Sequence, residues 1–204
     1  VGTDCVLTLD VHNLAAYQNA FRCRTEHLEA NPLFVAHLLP LLRDAQVSVV
    51  SPDAGGIKRA DAFRQRLSAA LKQPVAAAFA EKYRNSGVVS GEALVGDVEG
   101  KVAVIVEDLI SAGNTIARAA AACRRRGATR VLGVATHGVF AEAANGVLGD
   151  CNIDAIVVTD PLPPTRVTDP RLKSKLTQVS VAPLFAEAIR RLHTGGSIVE
   201  LVGG

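Results

Sequence analysis

The stretch Val102-Ala103-Val104-Ile105-Val106-Glu107-Asp108-Leu109-Ile110-Ser111-Ala112-Gly113-Asn114-Thr115 decides how the chain reads. Its first five residues are an unbroken apolar run, the length of a strand buried on both faces. Two acids follow, and a short polar loop then enters a helical pattern. That pattern runs from Asn114 through Arg126 and stops at Gly127, where a glycine closes a helix. In parallel sheets, ligands bind beyond the carboxyl ends of the strands. A helix that starts there offers unpaired N–H groups and the positive end of its dipole, which suits a phosphate. Ser111 and Thr115 add hydroxyl donors, and Gly113 lets the backbone approach closely. Glu107 and Asp108 then face the hydroxyls of a sugar carrying that phosphate, or a Mg²⁺ bound to it. The same residues also describe an acidic cap followed by a helix, and the segment alone leaves both readings open.

On either side, short β-branched runs alternate with helical patterns, the mark of a parallel α/β sheet. Strands are expected at 6–9, 47–50, 75–79, 102–106, 130–136, 155–159 and 176–181. Asn31-Pro32 caps a helix to about Leu42, a second helix spans about Lys58 to Leu71, and Pro183 opens a last one through about His193. Residues 81–101 are polar and without period, and read as a long excursion between strands, of the kind that tends to be functional. The prolines at 161, 163, 164 and 170 mark a surface loop.

Composition narrows the function classes. With 204 residues, 49% of them hydrophobic and 21% charged, the chain can bury a sizeable core. No apolar run approaches the roughly 18 residues that span a bilayer, so no membrane association is expected. Net charge is +2 with both signs interspersed, which gives no basic stripe for nucleic acid. Arg124-Arg125-Arg126 reads as the cationic end of a helix. The four cysteines have no metal or redox spacing and read as thiols of a reducing cytoplasm, with no secretory leader in view. The chain lacks methionine and opens at Val1 with a strand-like run already at Val6, which reads as the cut end of something longer.

The 102–115 segment resembles the ribose-5-phosphate loop of type I phosphoribosyltransferase folds. Further segments narrow the resemblance to the ribose-phosphate pyrophosphokinases, or phosphoribosyl pyrophosphate synthetases. They are Thr8-Leu9-Asp10-Val11-His12, Ser51-Pro52-Asp53-Ala54-Gly55-Gly56 with Lys58-Arg59-Ala60, Gly96 to Lys101, Ala135-Thr136-His137-Gly138-Val139, and Val179 to Leu184. They occur in the family's order and cover the chain from end to end.

The resemblance implies an α/β fold with a parallel sheet flanked by helices, part of a tandem two-domain architecture. Residues 1–30 then belong to the end of the first half, 31–180 form the second half with its ribose-phosphate loop, and 181–204 pack back on the first. It places the front of the first half, with the residues that recognise adenine, outside this sequence. The family's Mg²⁺–ATP ligands correspond to His12 and Asp53, and its catalytic loop cations to Lys82 and Arg84. Ribose 5-phosphate would lie on Glu107, Asp108, Ser111, Ala112, Gly113, Asn114 and Thr115. The implied reaction transfers pyrophosphate from Mg-ATP to the anomeric hydroxyl of ribose 5-phosphate, in the cytoplasm, by a homo-oligomer. Mobile cations suit that chemistry, because a transferred pyrophosphoryl group spreads negative charge over its oxygens.

Without the family, each residue has a plainer reading: His12 as a strand-end histidine, Asp53 as a turn residue, Lys82 and Arg84 as solvated cations. The chain also departs from the pattern. Glu107 stands where the family has Asp, Ser111 where it has an acid, and Ala112 and Asn114 change two phosphate-side positions. These changes keep open a non-catalytic relative that regulates active subunits, and the loop alone would also fit a transferase that consumes phosphoribosyl pyrophosphate.

Overall fold

A computed structural model describes the backbone of residues 2–85 and 88–203 and the side chains of residues 2–80 and 93–201. Two short strands, β1 (Cys5–Leu9) and β2 (Arg24–Leu28), pair in parallel around α1 (Leu14–Ala20). The chain then enters α2 (Asn31–Leu42), β3 (Val47–Ser51), one turn of 3₁₀ helix and α3 (Ile57–Leu71). Next come β4 (Ala76–Asn85), β5 (Val88–Gly96), β6 (Val102–Ile110), α4 (Asn114–Arg125) and β7 (Arg130–Gly138). The remainder is α5 (Ala144–Gly149), β8 (Ala155–Thr159), α6 (Pro170–Lys175), β9 (Leu176–Val179), α7 (Ala182–Thr194) and α8 (Ile198–Gly203).

The main sheet has the order β5-β4-β3-β6-β7-β8-β9. All its pairings are parallel except β4 with β5. The central strands are mostly apolar because both faces are covered: every residue of β3 is buried, Ser48 and Ser51 included. One face packs Ile116, Ala119 and Cys123 of α4 against Ala103 and Ile105. The other packs Phe34, Leu38, Phe63 and Leu67 against Val47, Val104 and Val106. Leu9 and Leu28 of the small sheet join this second cluster with Leu184, Ala188 and Ile198, so the small sheet has no separate core. Burying each large side chain stabilises the fold by about 2 kcal/mol. No helix among the described residues is long and apolar enough to cross a membrane.

The structure corrects several sequence expectations. The 81–101 excursion is largely a hairpin: β4 runs on to Asn85 and pairs antiparallel with β5, with a register shift at Tyr83/Arg84. A hairpin ladder closes its own backbone hydrogen bonds, so it needs none of the alternating pattern that signals a strand on a core. Asn31 is the first residue of α2, after Ala30 at the cap, and Pro170 starts α6 with Asp169 capping it. Arg124, at the basic helix end, pairs with Asp154 at 2.5 Å. The elements β2, α1, α5, α6 and α8 had no sequence signal strong enough to announce them; β2, for instance, reads Arg-Thr-Glu-His-Leu.

Candidate functional site

Strand β6 is longer than the apolar run that announces it, and its last residues build the site. It leaves β3 after Val50↔Ile105 but stays paired with β7 as far as Ile110↔Gly138. Beyond Ile105 its β3-side edge is therefore open, and Arg59 of α3 fills the gap. Arg59 Nη2 donates to Asp108 Oδ2 at 2.8 Å, and Nη1 stands 3.5 Å from Glu107 Oε1. The turn ahead of α3 brings Arg59 there: Asp53 Oδ1 accepts from Gly56 N at 3.0 Å. A Cβ on Gly56 would sit 2.8 Å from Ser51 Oγ, so the turn closes this tightly only with glycine.

Strand alternation separates the two acids. Asp108 continues the face of Val104 and Val106, and Glu107 the face of Ala103 and Ile105. On the Asp108 side, His12 Nδ1–H donates to Asp108 Oδ2 at 2.5 Å. The imidazole is 89% exposed, whereas the carboxylate is almost wholly buried. Burial raises the pKa of Asp108, but the His12 hydrogen bond and the Arg59 charge outweigh it and hold the group below the usual carboxylate range. Glu107 goes the other way: burial, reinforced by neighbouring Asp108, pushes it up to about 7.

On the Glu107 side, the loop Ser111-Ala112-Gly113 turns into α4. Gly113 has φ +82°, and a Cβ there would stand 2.6 Å from Leu148 Cγ, so both backbone and space require glycine. Among the described residues, no side chain caps the start of α4, so its first N–H groups are open to a ligand. Glu107 and residues 109–116 line a cavity of about 240 Å³ there. The loop is braced from behind: Val139 N and Phe140 N donate to the Ile110 carbonyl at 3.0 Å, and Ala141 N to Ser111 O at 3.1 Å.

The residues named from the sequence thus divide into four groups. Glu107, Ser111, Ala112, Gly113, Asn114 and Thr115 surround one cavity. Asp108 and His12 lie together on a second one, an apolar groove of about 890 Å³ that Asp10 and His137 also line. Asp53 lies two residues beyond the neighbouring strand β3, at the cap of the 3₁₀ turn, and its carboxylate is occupied in part with that turn. Lys82 and Arg84 are carried by β4, but their side chains lie outside the described residues. Among the described residues, no three His, Cys, Asp or Glu side chains form a metal cage. Sequence reasoning missed Arg59 as a partner of both acids; its signal was its place three residues after the Gly55-Gly56 turn.

Comparison with known proteins extends this geometry. Residues 91–202 match the phosphoribosyl synthetase-associated domain, and residues 26–145 the phosphoribosyl transferase domain. The chain belongs to the ribose-phosphate pyrophosphokinase family. A ribose-phosphate pyrophosphokinase of Rhodopirellula baltica is 40% identical over 203 residues, which are 98% of this chain and 61% of the relative. One from Caldanaerobacter subterraneus is 36% identical over 98% of this chain and 60% of its own length. Among solved structures, the phosphoribosylpyrophosphate synthetase of Mycobacterium smegmatis superposes with a TM-score of 0.81 at 32% identity, over 96% of this chain and 60% of that one. The chain therefore spans about 60% of the length of these ribose-phosphate pyrophosphokinase relatives.

Proposed function

We propose that this chain carries the ribose-phosphate side, and part of the Mg-ATP side, of a ribose-phosphate pyrophosphokinase. It would transfer pyrophosphate from ATP to the anomeric hydroxyl of ribose 5-phosphate and release AMP. The observation that carries this reading is the uncapped start of α4, which opens on a small cavity beside Glu107. The cluster of Asp108, Arg59 and His12 stands directly behind it. The 5-phosphate would bind the N–H groups at the helix start, where the dipole favours an anion. Glu107 would hydrogen-bond the sugar hydroxyls. With its pKa at about 7, it can hold or release a proton at working pH. His12 and Arg59 together hold Asp108 below the usual carboxylate range and its carboxylate fixed. Lys82 and Arg84, on the hairpin, would offset the charge that develops on the transferred group.

The donor set suits Mg²⁺. That ion takes oxygen ligands, usually one or two carboxylates together with substrate phosphates, rather than a full protein cage. Asp53 supplies a carboxylate, and Gly55 leaves it uncovered, since a Cβ there would crowd its Oδ1 at 3.3 Å. His12 would complete the metal side. When bound, Mg²⁺ screens the phosphate charge and orients the oxygens for in-line attack.

In this reading residues 1–30 complete a first half, 31–180 are the second, and 181–204 pack on the first. The shared cluster of Leu9, Leu28, Leu184 and Ile198 supports that arrangement. The protein would act in the cytoplasm as a homo-oligomer. The test is AMP release from Mg-ATP, measured with and without ribose 5-phosphate. AMP formed in step with phosphoribosyl pyrophosphate supports the reading. Binding of ribose 5-phosphate without AMP would instead make this a non-catalytic relative.

A further inference from the structure

His12 is almost fully exposed, yet its ring is aimed at one oxygen of Asp108. Little of that aim comes from the ring's own surroundings, so it has to come from the backbone that carries it. The residues ahead of it, Leu9 to Val11, are pinned at several points. Asp10 adopts φ +42°, a left-handed conformation rare outside glycine, and the surrounding bonds enforce it. Asp10 N donates to Leu28 O at 2.9 Å, and Asp10 Oδ2 accepts from Ala30 N at 2.9 Å. Two further anchors come from β7, more than a hundred residues away. Thr136 Oγ1 donates to Asp10 Oδ2 at 2.6 Å, and His137 Nε2–H donates to the carbonyls of Leu9 and Asp10 at 3.1 and 3.2 Å. Thr136 is itself buried and held, its carbonyl accepting from Thr159 Oγ1. His27 Nε2 accepts from Val11 N at 3.1 Å, so two histidines in opposite tautomers grip the same turn.

The residues that follow β7 hold the other loop, through the bonds from Val139, Phe140 and Ala141 to Ile110 and Ser111. One strand end is thus the mount for both sides of the site. We propose that Thr136 and His137 are positioning residues which set His12 against Asp108, while the residues just after them set the phosphate loop independently. Asp10 then serves as the anchor of the turn, its Oδ2 committed to Thr136 and Ala30. The inference rests on the reading of His12 and residues 107–115 as one site, and it deepens that reading.

The test uses the full-length protein, labelled with ¹⁵N-histidine, in two variants. His137→Ala removes the donor, and His137→Gln replaces it with a carboxamide N–H. Ring nitrogen shifts report which tautomer His12 holds. In the wild type, at a pH where the ring is neutral, the Asp108 bond favours the Nδ1–H form. His137→Ala should return His12 to the Nε2–H form common in free imidazole, and His137→Gln should restore the wild-type pattern. In an AMP-release assay, kcat should fall about tenfold in His137→Ala with KM for ribose 5-phosphate within twofold, because the bonds from residues 139–141 remain. A general loss of structure would instead move KM and melting temperature together and would not be rescued by Gln. If His137→Ala does not fold, Thr136→Val carries the test, with the same tautomer shift expected. A wild type that makes no AMP removes the catalytic reading, while the ring shifts still decide the positioning. An unchanged His12 tautomer in a folded His137→Ala or Thr136→Val protein overturns the inference, whatever the activity.

Discussion

The two sides of the site are made of different material. The proposed phosphate side is backbone: open N–H groups at the start of α4, a glycine at φ +82°, and a brace of main-chain bonds from residues 139–141. The other side is side chain: His12, Arg59 and Asp108 come from three separate segments and meet at one carboxylate oxygen. A backbone site tolerates substitution wherever the conformation survives. A side-chain site does not, because each partner left behind is a partly buried group without its counter-charge.

The largest effects should therefore fall on charged side chains. Arg59→Ala should lower the rate of AMP formation by about two orders of magnitude, since Asp108 and Glu107 both lose their cation. Lys82→Ala should cost a similar factor with no change in melting temperature. If Arg59→Ala retains a third of the activity, the side-chain half of the comparison breaks. On the backbone side, Gly113 is the exception that sharpens the rule. Gly113→Ala should destabilise the fold by about 2–3 kcal/mol through the clash with Leu148 and the strained φ, and should weaken ribose 5-phosphate binding more than tenfold.

A smaller effect concerns Glu107. Its carboxyl titrates near 7 when folded, against an ordinary value of 4.5. Between those two pH values the folded state keeps a proton that the unfolded state has released. Stability from this group is therefore complete below about pH 4.5 and is lost as pH rises through 7. Melting temperatures from pH 5 to 8 should show that decline in the wild type, and a flatter profile in Glu107→Gln. Asp108, shifted downward, acts with the opposite sign at lower pH.

The sequence made the phosphate side legible because its signals are local: an apolar run, two acids, a glycine and a helix start lie within fourteen consecutive residues. The central strands were legible for the same reason. The side-chain side was readable only as separate points. His12 and Asp53 stood out, but nothing near Arg59 says that it reaches β6, and nothing near Thr136 says that it reaches Asp10, 126 positions away. Those partnerships depend on how far each strand outruns its neighbour, which is a property of the sheet. The β4–β5 hairpin escaped because its ladder needs no amphipathic pattern. β2 escaped because a five-residue strand whose first four positions are all polar or charged carries too little apolar signal.

The most direct test of the comparison is a calorimetric titration of ribose 5-phosphate into the wild type and into the Ser111→Ala/Asn114→Ala double variant. If the backbone forms the phosphate site, Kd should agree within threefold between the two proteins, and inorganic phosphate should compete in both. A tenfold or greater loss in a folded double variant, or no binding to the wild type at millimolar ribose 5-phosphate, would contradict the account.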